Sequence, residues 1–137
     1  MTDSELIEKK LAFIDSCVSE LRALCRVEDI ERDVREERFA AHTLQIAIQA
    51  ALDIASHIVS DQRLGEPESN RELFQKLADS GWVAPQLIAP MRDMAGFRNV
   101  VVHGYQRVNP AAVREVVQNH LDDLLNFGAS IRAKLHS

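Results

Sequence analysis

An arginine, a histidine and a tyrosine stand close together in the segment Arg98-Asn99-Val100-Val101-Val102-His103-Gly104-Tyr105. Four residues separate Arg98 from His103, and one separates His103 from Tyr105. A guanidinium stays charged at physiological pH and can neutralise a phosphate, while an imidazole exchanges a proton near neutrality. RNA cleavage without a metal needs a base for the 2′-hydroxyl proton, an acid for the leaving oxygen and positive charge on the phosphorane. Imidazole suits either proton role and guanidinium suits the charge. One chain supplies one such histidine, so two copies meeting across a two-fold axis would supply both base and acid.

The elements that must position these residues set a constraint. Arg98 and His103 are five apart, about 140° round an ideal helix, and so do not share a face. Asn99 and His103, four apart, do. Gly104 marks a weakening or end of the helix, and Val100, Val101 and Val102 are expected to anchor that turn in the core. Other chemistries find little support. His42, His57, His120 and His136 show no metal-ligand spacing, and no cysteine pair suggests zinc. No glycine-rich phosphate loop or Ser or Cys nucleophile signature is present. No metal and no cofactor are expected.

The chain has 137 residues, the size of one domain spanning 1–137, and such a length buries roughly 68% of the unfolded surface. Aromatic residues make up only 5% while Ala, Leu, Ile and Val abound, a balance that favours a helical bundle over a β-sandwich. Cys17 and Cys25 are eight apart in one helical segment, about 12 Å, too far for a disulfide. They read as small core residues in a reducing cytosol. No apolar run is long enough to span a membrane, and the first residues are acidic, so the expected location is cytoplasmic, without a membrane partner.

A net charge of −5 argues against a general nucleic-acid coat. The charge is uneven, however. From Pro85 to Arg114 four arginines face one acid, Asp93, a local balance of +3 that leaves −8 for the remainder. The arginine–histidine pair lies in that cationic segment.

Five helical segments are predicted, arranged as an antiparallel bundle. Ile7, Leu11, Ile14, Val18, Leu21 and Cys25 recur at spacings of three and four, an amphipathic stripe. The run from Glu28 to Arg38, with six acids and three arginines, reads as an exposed junction. The second helix, about Arg35 to Gln62, is apolar on most of its circumference and should be central. A polar stripe runs through it: His42, Gln45, Gln49, Asp53 and Ser56 or His57. It is either the solvent face or buried, and a buried Asp53 would call for an arginine of the active helix.

Gly65-Glu66-Pro67 should close that helix, and Ser69 with Glu72 forms a capping box opening a short third helix that ends near Ser80-Gly81. Pro85 fits the first turn of a fourth helix, in which Pro90 should introduce a kink, running to about Tyr105. Asn109-Pro110 restarts the chain, with Val108 and Val113 placed as a hydrophobic staple. Val113, Val117, Leu121, Leu124, Gly128, Ile131 and Leu135 line a single fifth helix.

The run Phe97-Arg98-Asn99 through His103-Gly104-Tyr105 resembles the arginine, four residues, histidine, one residue, tyrosine signature of the HepT-like branch of the HEPN superfamily. Leu44 to Ala55 resembles that family's second helix and Arg71 to Leu77 its third, so the likeness covers about residues 39 to 125. Gln49 stands where a glutamate is expected. The resemblance implies an all-α two-fold dimer and a metal-independent ribonuclease toxin of a type VII-like toxin–antitoxin pair. Arg98 and His103 would be the catalytic pair, with two copies lining a cleft between protomers, and Asn99 and Asp53 would support them. It further implies a minimal nucleotidyltransferase antitoxin that silences the toxin by transferring AMP to Tyr105, adding bulk and negative charge where RNA phosphate must bind. The alternative is a non-catalytic dimeric HEPN module that holds a nucleotidyltransferase or its substrate, a reading the acidic net charge favours.

Overall fold

The computed structural model describes residues 3–103 and 108–137, without the side chains of residues 102 and 103. The described residues form six helices: α1 (Ser4–Leu24), α2 (Val34–Asp61), α3 (Asn70–Asp79), α4 (Ile88–His103), α5 (Pro110–Asn119) and α6 (Leu121–Leu135), with no strand among them. Short 3-10 turns at Val27–Asp29 and Pro85–Leu87 precede α2 and α4.

The fold is organised by α2. Leu44, Ala47, Ile48, Ala51, Ile54, Ala55 and Ile58 are fully buried along its length, and all five other helices pack on it. Apolar residues around most of its circumference leave it no stable place except the centre of a bundle. The α1 stripe is buried as its spacing requires, with Ile7, Leu11, Ile14, Val18 and Leu21 inside. Phe74 of α3 and Phe127 of α6, both fully buried, meet edge to face with ring centroids 5.9 Å apart. Both cysteines are free thiols. Desolvation raises the Cys17 thiol, and burial with nearby Glu36 pushes Cys25 up to about 11.

Local chemistry explains most helix ends. Asp3 and Asp33 cap α1 and α2 by accepting from the backbone amides of Leu6 (3.1 Å) and Arg35 (2.9 Å). Asn109 accepts from the Ala111 amide at 2.9 Å and Pro110 opens α5, as expected, while Val108 and Val113 both pack into the core. Gly81, with φ +82°, ends α3, and the Trp82 amide reaches back to the Leu77 carbonyl at 2.8 Å.

Four expectations need correction. The single fifth helix is two, broken at His120, although Val113, Val117, Leu121, Leu124, Gly128 and Ile131 keep one buried face across the break. Asp122 and Asp123 then lie in the first turn of α6, where the helix dipole favours acids, and the His120 ring bonds Asp123 at 3.1 Å. At the end of α2 the chain turns before Gly65: Arg63 already has a positive φ of +54°, the Leu64 amide closes on the Val59 carbonyl at 3.0 Å, and Gly65 follows at φ +102°. Ser69 makes no side-chain cap; Glu72 instead accepts from the Glu68 amide at 3.1 Å. Pro85 opens the 3-10 turn and Pro90 falls in the first turn of α4, where its missing N–H costs nothing, so no kink is required.

The chain ends are clasped electrostatically. Arg132 of α6 donates to Asp15 (2.9 Å) and Glu8 (3.5 Å) of α1, and Glu8 also bonds the His136 ring at 2.9 Å. The hydrogen bond with His136, and the Arg132 guanidinium after it, hold the Glu8 carboxyl below its ordinary 4.5. A carboxylate with a lowered folded-state pKa stabilises the fold fully above its unfolded value, and that contribution is lost as pH falls through the folded value. Glu8→Gln should therefore melt slightly below the parent at pH 7. The difference should shrink once the pH drops below 4.5. Thermal melts from pH 7 to pH 3 check this, and a gap that widens in acid would contradict it.

Candidate functional site

The site is built on α4. Met91, Met94 and Ala95 are its buried residues. Arg98 stands seven residues after Met91 and four after Met94, so it occupies the same packed side of the helix. Its side chain is half buried, and its Nε atom is enclosed with no hydrogen-bond partner among the described residues. Its Nη1 donates to Asn99 Oδ1 at 3.4 Å. An apolar residue would be the favourable choice at this register position, because an enclosed donor left unpaired costs stability. Val100, expected in the core, is instead 58% exposed on another side of the helix.

Among the sequence-selected residues, the structure joins Arg98 to Asn99. His103 is the last described residue of α4, with its side chain outside the described ones, and Tyr105 lies outside them altogether. Asp53 is placed elsewhere in the bundle. It accepts from Gln49 at 2.8 Å and from Lys10 of α1 at 3.4 Å, with 43% of its side chain exposed. Its cation is therefore a lysine of α1, not an arginine of α4. The polar stripe of α2 is a half-covered seam rather than a free face: His42 and Ser56 are exposed, while His57 accepts from the Asp3 amide at 3.2 Å. No three or more His, Cys, Asp or Glu side chains among the described residues are placed to hold a metal ion.

One arrangement was not read from the sequence. Gly96 lies within α4, and the guanidinium of Arg71, from the first turn of α3, lies against it. A Cβ added there would overlap Arg71 Nη2 and stand 3.3 Å from Cζ. Beside it Arg92 donates to Gln75 at 3.3 Å, a second link between α3 and α4. Arg71, Asp93, Gly96, Phe97, Val100 and Ala112 line a crevice of about 320 Å³ between α3, α4 and α5. The available signal was the glycine itself, a residue that weakens a helix interior unless something needs the room.

The described residues form a helical bundle centred on one apolar helix, with an arginine on the packed side of the helix that carries the histidine, an arrangement consistent with a HEPN-type protein. The family model for Ribonuclease HepT-like proteins matches residues 11–131, and the chain belongs to that family. It is 33% identical over 132 residues to the mRNA nuclease HepT of Shewanella oneidensis, covering 96% of this chain and 99% of that one. It is 29% identical over 117 residues to the tRNA nuclease HepT of Aphanizomenon flos-aquae, covering 82% and 80%. Among solved structures, a toxin–antitoxin complex with AMP-PNP superposes with a TM-score of 0.87 at 32% identity, over 95% of this chain and 99% of that one. The tri-AMPylated Shewanella oneidensis HEPN toxin in complex with its MNT antitoxin superposes at 0.86 and 32%, over 96% and 99%. No helix among the described residues is long and apolar enough to cross a membrane.

The position of Arg98 carries a stability prediction. Replacing it with methionine extends the Met91–Met94 packing and removes the unpaired donor. Arg98→Met is expected to melt at or above the parent temperature, a gain of about 1 kcal/mol. Loss of more than that in a denaturant titration would mean that Arg98 holds the fold together.

Proposed function

We propose that this chain is a metal-independent endoribonuclease toxin acting through Arg98 and His103 in a cleft shared by two copies. The observation that carries the reading is the placement of Arg98: a charged side chain held on the packed side of α4 with an Nε unpaired among the described residues, five residues before His103 on the same helix. Structure of this kind is retained for chemistry rather than for stability. Family membership and the nuclease names of both curated relatives support the same reading.

In this mechanism one His103 imidazole takes the proton from a ribose 2′-hydroxyl, and that oxygen attacks the adjacent phosphorus. The bond to the 5′-oxygen breaks as the imidazolium of the other copy's His103 protonates the leaving oxygen. Arg98 offsets the negative charge that builds on the phosphorane, and Asn99 holds the guanidinium through the contact seen here. The products are a 2′,3′-cyclic phosphate and a free 5′-hydroxyl. A minimal nucleotidyltransferase partner transfers AMP from ATP to the Tyr105 hydroxyl, the phenolic oxygen losing its proton as it bonds to the α-phosphorus and pyrophosphate leaving, a reading supported by the AMPylated toxin to which this chain is similar.

Purified, partner-free protein is expected to cleave RNA in the presence of EDTA, and His103→Ala is expected to fold but lose cleavage by at least ~100-fold. Cleavage that survives this substitution would sink the assignment, and no cleavage by the parent would favour the binding-module reading. Co-expression with the nucleotidyltransferase should add AMP mass units that map to Tyr105 by peptide sequencing. An active transferase that leaves Tyr105 unmodified would remove the proposed off-switch.

A further inference from the structure

We propose that Arg71 is a second RNA-contacting cation, seated across Gly96 to hold a substrate phosphate beside the Arg98–His103 site; this rests on the ribonuclease reading above. Three observations point the same way. First, the chain keeps a glycine inside α4, where alanine would be more favourable, and the space so created is filled by the Arg71 guanidinium. Second, Arg71 stands in the first turn of α3, the end of the helix dipole that repels cations. Third, it makes no hydrogen bond or ion pair with any described residue, although Asp93 lines the same crevice. A cation put at an unfavourable helix end, unpaired among the described residues and given a glycine to lie on is arranged for a ligand anion.

Position matters as much as charge. Position 103 follows Gly96 by seven residues, so the two lie on one side of α4 about two turns apart, roughly 10 Å along the axis. Arg98 lies on a different side. An RNA strand whose scissile bond sits at the helix end can thus run back along α4 and bring a neighbouring phosphate onto Arg71. Exposed Val100, at 58%, stands between the two positions and offers an apolar surface to a base or ribose. The planar fork of arginine suits two phosphate oxygens at once, which a lysine cannot match.

The test measures binding of a fluorescein-labelled, mixed-sequence single-stranded RNA by anisotropy in the His103→Ala background, at several salt concentrations. Arg71→Ala is expected to weaken binding about tenfold and lower the salt slope by ~0.7, the value for one phosphate on a single strand. Arg71→Lys should restore the slope but only part of the affinity. Gly96→Ala is the more telling variant, because its new methyl displaces a flexible side chain while favouring the helix. It should melt no lower than its parent yet bind RNA as weakly as Arg71→Ala. Binding with an unchanged slope in Arg71→Ala, or no measurable binding by the parent, overturns the proposal. Weakened binding in Arg71→Ala but not in Gly96→Ala overturns the seat on Gly96. Cleavage assays in the His103-containing protein separate the two readings: absent cleavage with Arg71-dependent binding removes the ribonuclease and leaves the phosphate contact.

Discussion

Every other element answers to the burial of α2. A helix with Leu44, Ile48, Ile54 and Ile58 fully enclosed and alanines between them can leave only a narrow polar seam to water. The remaining helices must therefore cover all of it but the polar seam, and small residues such as Ala47, Ala51 and Ala55 let them approach closely. That demand fixes where α4 can lie. With one side of α4 committed to the core through Met91, Met94 and Ala95, any group on its other sides is presented at a defined angle. The rigidity a reactive site needs is supplied by packing that has no chemical role of its own.

Within α4 two local rules are broken, and both breaks concern arginines. Arg98 takes a position suited to an apolar residue, leaving Nε enclosed and unpaired. Gly96 takes a position suited to alanine, leaving room for Arg71. Elsewhere the helix ends obey familiar chemistry: acids and Asn109 cap N-termini, and Gly81 ends α3. Arg63 is a further exception, a non-glycine residue at φ +54° where the chain leaves α2. Violations grouped within three residues of one helix, on two of its sides, mark α4 as the element that carries the site.

The fold was legible where information is local. Periodicity placed α2 at 35–62 against Val34–Asp61, and Asn109-Pro110 marked the start of α5. The break at His120 escaped because no glycine or proline announces it and the buried face continues through it. The site was half legible for a related reason. Arg98, Asn99 and His103 are sequence neighbours, so spacing alone brought them together. The contact of Arg71 with Gly96 joins residues 25 apart on separate helices, and that of Asp53 with Lys10 joins residues 43 apart. Neither contact has a period, so each depends on how helices cross rather than on which residues recur.

The charge distribution limits what kind of RNA contact such a chain can make. Outside the cationic segment the net balance is −8, so a long strand laid across the whole bundle would meet repulsion over most of its path. Favourable contact is confined to the neighbourhood of α4, where Arg98 stands and Arg71 lies across Gly96 from α3. Few neutralised phosphates mean modest sequence-independent affinity and a shallow dependence on salt. Discrimination among RNAs must then come from shape and from bases that can splay into the crevice beside Val100 rather than from electrostatic grip. By the same economy, the AMP proposed for Tyr105 would act strongly on the site. With so few cations facing the substrate, a single extra phosphate offsets a large share of the attraction that RNA would otherwise find there.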